Sequence, residues 1–270
     1  MNRKSLIVAA AWLAVCTGAY AGGTVDPNTA AQKDPKAFTI DPSSVKVEIT
    51  PVDFSSTPMA KTYKMNAPIL PSKGMGDVLN GAGDVIGTID QIVNLYQKIW
   101  SIIEENKPVV NINTQFAAAI PQGITSWTQL AGWQGPKSYQ YHISAKNLYG
   151  ITTIDVTYLV VYSYGGNYNG HGKFLTGVSV QPVNVDVLWG YTFAMSASVP
   201  DSSIVNAGTQ TDPVAAMQLV IDTTISTVLK SSGNNSVIYL RGDGYFQDLS
   251  SYSKSAAYKA PDLSSLQALQ

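Results

Sequence analysis

From Pro108 almost to Gln247, apolar residues recur at every second position, a period that belongs to strands with one face turned to a core. The clearest run is 183–195. There Val183, Val185, Val187, Trp189, Tyr191, Phe193 and Met195 face one way, and Asn184, Asp186, Thr192 and Ala194 face the other. Residues 154–164 and 173–181 read as strands joined by a loop, Gly165 to Gly172, whose Gly and Asn content is hairpin chemistry. Residues 109–119, 138–146, 217–229 and 236–240 supply further strands. Successive strands with short turns predict an α+β, mainly β fold, an antiparallel β-sandwich or meander.

One segment breaks the period. From Asp77 to Glu105, Val78, Leu79, Ala82, Val85, Ile86, Ile89, Ile92, Val93, Tyr96, Ile99, Trp100 and Ile103 follow helical spacing, and Asn106-Lys107-Pro108 ends the run. This predicts one long amphipathic helix over 77–107, about 43 Å long from Asp77 to Glu105, packed on a sheet of the β domain 108–249. Before it, residues 22–76 carry Pro27, Pro35, Pro42, Pro51, Pro58, Pro68 and Pro71, which forbid a long helix and predict an extended arm. Val45, Val47 and Ile49 alternate within that arm as one short edge strand. The tail, 250–270, is rich in Ser and Ala and lacks the large apolar residues of a core.

The first 21 residues read as an export signal. Arg3 and Lys4 precede an apolar run from Leu6 to Val15, and Ala19-Tyr20-Ala21 closes it as a small-x-small cleavage site, with cleavage after Ala21. The run is too short for a transmembrane anchor. Lipidation at Cys16 is the lesser expectation, because Val15 stands where the lipidating pathway takes a small residue. Cleavage at Ala21 removes the single cysteine, and with it disulfides and thiol chemistry. The expected destination is the periplasm, the outer envelope or the medium. The processed chain keeps 15 of 17 Lys and Arg against 18 Asp and Glu, which disfavours nucleic acid as a partner. Charged residues make up 13% of the chain, about half the usual share, as suits an exported β-rich protein.

Catalytic constellations are scarce. His142 and His171 are the only histidines, too few to anchor a zinc site without cysteines, and no G-x-S-x-G elbow is present. The Gly165–Gly172 loop precedes a strand, whereas a phosphate cradle needs a helix N-terminus. Arg241-Gly242-Asp243 reads as turn chemistry. No cofactor or metal is expected. Trp127, Trp133, Tyr139 and Tyr141 lie near one another among uncharged polar residues and suit sugar stacking or an interfacial position. Ile89, Ile92, Ile99 and Trp100 line the apolar stripe of the expected helix and are the alternative membrane contact. A glycine-bearing amphipathic helix ahead of a Tyr-rich sandwich resembles, in order and composition over Asp77 to about Leu249, the layout of actinoporin-type pore formers. That resemblance implies membrane activity but carries no residue roles. The expectation is an exported, non-enzymatic binding or structural module whose partner is a protein, a glycan or an envelope surface. The alternatives are membrane activity through helix 77–105 and glycan binding through surface aromatics.

Overall fold

A computed structural model describes residues 26–57, 92–94, 99–109, 116–124 and 126–250. The expected signal segment, the arm after Thr57 and the tail beyond Ser250 lie outside the described residues. Alternating segments pair as two antiparallel sheets. The first has the order β1 (Lys46–Val52), β6 (Gln134–Lys146), β7 (Thr152–Tyr168), β8 (His171–Val187), β5 (Ala117–Pro121), β2 (Ile92–Asn94). The second runs β13 (Phe246–Asp248), β12 (Ser231–Arg241), β11 (Ala215–Thr227), β9 (Tyr191–Ser198), β3 (Ile99–Glu104), β4 (Lys107–Pro108), with β10 (Val205–Asn206) also paired to β11. The inward series of both sheets bury one continuous core that includes Ile120, Tyr141, Tyr158, Phe174, Phe193, Leu219 and Ile238. The expected mainly β, antiparallel architecture is therefore present.

The expected long helix is not confirmed. Residues 77–91 lie outside the described residues, while Ile92–Asn94 and Ile99–Glu104 are strands paired to β5 and β9. Two features explain the strands at 92–94 and 99–104. Ile92, Val93, Ile99, Ile102 and Ile103 are β-branched, which favours a pleated surface over a helix. The ladder also shifts register between Ser101 and Ile103, and Ile102 and Ile103 are both buried. That shift puts Trp100 and Ile103 in the core three residues apart, which imitates a helical period. Among the described residues the only α-helix is α1 (Pro27–Lys33).

The other boundaries move for local reasons. The run 183–195 is two strands, because Gly190 adopts φ +85°, open to glycine at little cost, and the chain reverses at Leu188–Gly190. The Gly165–Gly172 loop is mostly strand, with only Asn169-Gly170 left as the hairpin tip. In the arm, Asp26, Asp34 and Asp41 each precede a proline and accept a hydrogen bond from an amide of the turn that follows. These caps fold the arm into α1 and short turns. It then continues as the expected edge strand, in register with β6 from Lys46↔Ser144 to Val52↔Ser138.

The two ends of the sandwich differ. At one end the sheets are joined: Tyr141 donates its hydroxyl to Asp248 Oδ2 at 2.7 Å, and both side chains are buried. Asp248 Oδ1 accepts from the Ser250 amide at 2.7 Å and from its hydroxyl, so the buried carboxylate is satisfied. Tyr139 stacks on Phe246 with centroids 3.6 Å apart, and Tyr162 and Lys137 both donate to the Gly244 carbonyl, at 3.1 and 2.8 Å. Arg241-Gly242-Asp243 is a turn closed by the Gly244 amide on the Arg241 carbonyl, with Arg241 paired to Asp243. At the other end the sheets part.

Candidate ligand cavity

The parting starts from residue size. On β12 the inward positions run Leu240, Ile238, Ser236, Asn234, Ser232, and on β11 Leu219 and Ile221 give way to Thr223. Small hydroxyl and amide side chains replace large apolar ones within one turn of the pleat. They leave a cavity of about 400 Å³ between the sheets, within the range that holds small organic ligands.

Its apolar floor comes from both sheets: Val45 just before β1, Val47 of β1, Ile143 of β6, Tyr158 of β7, Phe193 of β9 and Ile225 of β11. Tyr158 is held flat by stacking on Tyr141, at 5.0 Å and 8° between planes. The polar wall is Thr223, Ser232, Asn234 and Ser236, with Thr223 Oγ1 donating to the Asn234 carbonyl at 3.3 Å. The exposed Lys230 is the one charged residue in the lining. Such a site can take up an apolar body and hydrogen-bond one flank of it. An anionic or carbonyl-bearing end would meet Lys230.

The N-terminal arm forms one flank through Phe38, Thr39 and Ile40. Phe38 is buried, stacks on Tyr191 at 6.5 Å and meets Trp189 edge-on at 5.8 Å. Tyr191 donates its hydroxyl to the Ala37 carbonyl at 2.7 Å, and burial holds that phenol above its ordinary pKa. Buried Asn147 donates to the same carbonyl at 3.2 Å, and its Oδ1 accepts the amides of Tyr149 and Ile151. The arm is thereby part of the cavity wall.

The residues singled out from sequence fall elsewhere. Trp127 and Trp133 come together, 6.1 Å apart and edge to face, both half-buried. Tyr139 packs on Phe246 and Tyr141 lies in the core, so the four aromatics do not form one exposed platform. Ile92 is half-buried in β2, Ile99 is exposed on β3 and Trp100 is buried; Ile89 and Ala21 lie outside the described residues. His142 Nε2 lies 3.2 Å from Asp155 Oδ1 on a neighbouring strand, and His171 is exposed at the hairpin tip. Among the described residues no group of three or more His, Cys, Asp or Glu side chains converges as a metal-ligand set, and no helix is long and apolar enough to cross a membrane. The cavity residues Thr223, Asn234 and Ser236 carried one readable signal: hydroxyl and amide side chains at inward positions of otherwise apolar strands.

Comparison with protein-family profiles, curated proteins and solved structures finds no match to the chain.

Proposed function

We propose that the protein is an exported, non-catalytic binding module that holds a small amphiphile in the cavity between its sheets. The observation that carries this reading is the cavity of about 400 Å³ with an apolar floor, a hydroxyl and amide wall and Lys230 as its charged residue. A ligand with a chain or ring system and one carbonyl, hydroxyl or carboxylate end matches those surfaces. The export-type N-terminus and the low charge of the chain support the same reading.

The test is titration of the full-length processed protein with a fluorescent polyene fatty acid. Saturable enhancement at one site is expected, lost by at least tenfold in Ser236→Phe, whose ring fills the space beside Tyr158 and Ile143. Thermal unfolding of the variant separates blockage from misfolding. A folded Ser236→Phe protein that binds the probe as wild type does would contradict the reading, as would reproducible turnover in a hydrolase screen abolished by one polar substitution.

A further inference from the structure

Three turns meet at the cavity end: residues 147–151 between β6 and β7, 188–190 between β8 and β9, and 228–230 between β11 and β12. Their adjacency is fixed by the Leu188 amide on the Thr153 carbonyl at 2.8 Å and by the register Thr227↔Tyr191. The first turn exposes Leu148, Tyr149 and Ile151, the second Leu188 and Trp189, the third Val228 and Leu229, each between 41% and 56% accessible. These are seven of the eleven large apolar side chains exposed among the described residues, gathered at one end. Scattered exposed leucines need no explanation, but a gathered set does.

We infer that this end docks onto a phospholipid surface, with the three turns entering the headgroup region. Three properties favour a bilayer over a protein groove. First, the side chains are those of an interface: Trp189 and Tyr149 combine an apolar body with a polar tip, and Leu and Ile surround them. Second, Lys230 is the only charge on the three turns, of the sign that meets lipid phosphate. Beside the tip both signs occur: Lys146 leads into the first turn, Asp41 donates its amide to the Lys146 carbonyl, and Asp26 precedes Pro27, which lies against Leu188, Trp189 and Val228. Asp34 also lies there but accepts the Tyr149 hydroxyl at 3.0 Å, while Asp155 and Asp186 face each other lower in the β7–β8 ladder. Glu105 sits on the β3–β4 turn beside the tip, where Asn106 donates through its side chain to the Tyr191 carbonyl at 3.1 Å and lies against Leu188 and Trp189.

Third, much of the turn backbone is satisfied from within. The Leu148 amide donates to Thr39, Gly150 to the Asn147 carbonyl, and Tyr149 and Ile151 to Asn147 Oδ1. Leu229 and Lys230 donate to Thr227 Oγ1. Loops whose amides are already paired lose little when water is withdrawn, which is the condition for entering a lipid interface. The membrane contact is therefore assigned to hairpin tips, and not to the strand residues Ile92, Ile99 and Trp100.

The experiment is flotation of the processed protein with vesicles of phosphatidylcholine alone and with one third phosphatidylglycerol. Wild type should float with both and more strongly with the anionic lipid. Brominated phosphatidylcholine should quench part of its tryptophan emission. Trp189→Ser with Leu229→Ser should reduce partition at least tenfold at unchanged melting temperature. Lys230→Glu should reduce partition about fivefold on anionic vesicles only. Ile99→Ser, exposed but away from the tip, should leave partition unchanged. The assignment is overturned if wild type floats with neither vesicle, or if the double variant floats as wild type does. It is also overturned if the tip substitutions instead dissolve a dimer seen by light scattering. Loss of fatty-acid binding in Ser236→Phe with flotation intact would leave the docking surface standing and tests the cavity separately.

Discussion

The joined end and the cavity end of the sandwich are built from the same strands, and two residues along β12 separate them. Ile238 and Leu240 fill the space between the sheets completely, whereas Ser236 and Asn234 leave it open. The joined end is further tied by Tyr141 on Asp248 and by Lys137 and Tyr162 on Gly244. Its outer turns are polar, with Asn169, Gly170, Thr209 and Thr211 exposed. The cavity end differs in two respects: hydroxyl and amide side chains line one wall of an unfilled space, and its outer turns are apolar. A fold with one packed end can tolerate an under-filled one, because the packed end supplies the burial that holds the sheets together.

The largest effect that sharpens this contrast is on stability along β12. Ile238→Ala should lower unfolding free energy by about 2–5 kcal/mol, while Ser236→Ala, one pleat away, should change it by less than about 1 kcal/mol. Urea denaturation measures both, and equal losses would erase the distinction. Next comes Tyr141→Phe, which removes one of the donors that satisfy Asp248 and should cost about 1–3 kcal/mol. Fatty-acid binding and vesicle flotation should survive it. Gly190→Ala acts at the cavity end: its φ is +85° and an added Cβ would lie 2.3 Å from the Phe38 ring. The backbone penalty is about 1–2 kcal/mol, and displacement of Phe38 should show as faster proteolysis of the arm.

The smallest effect is on pH dependence. Hydrogen bonds from the Asn28 side chain to Asp26 and from the Ser43 side chain to Asp41 hold both carboxyls below their ordinary value. Their contribution is present above the unfolded value, near pH 4, and is lost as pH falls through the lower folded one. Peptic cleavage near Phe38 should therefore rise on acidification below about pH 4. Lys137 runs oppositely, because burial pushes its ammonium down and nearby Asp243 only partly offsets this. The unfolded chain then holds its proton to higher pH. Stability at the joined end should rise slightly as pH climbs from the depressed folded value toward about 10.4, which thermal melts across alkaline pH would detect.

Period two made the sheets legible in the sequence. The strands at 138–146 and 217–229 lie close to β6 and β11, and the expected edge strand pairs from Lys46 onward, with Val47 and Ile49 in its ladder and Val45 just before it. The second sheet's β3 was not legible, since the register shift at Ser101–Ile103 gave strand residues a helical spacing. The arm hid its order because prolines read as breakers unless the preceding aspartates are read as caps. The candidate site was least visible of all. Trp189 continued an alternating run and looked inward, and only Gly190 beside it announced the turn that puts the indole outside. Tyr141 looked available to a ligand, yet it faces a buried carboxylate that lies 107 residues away in the chain. Contacts across such a separation leave no trace in local spacing.

Hydrogen–deuterium exchange with and without the fatty acid and anionic vesicles tests the assignment of binding to the cavity end most directly. Protection is predicted at residues 143–151, 186–191 and 223–236, with residues 168–173, 206–214 and 241–248 unchanged. Protection confined to the second set, or none in either set while ligand and vesicles are bound, would contradict it.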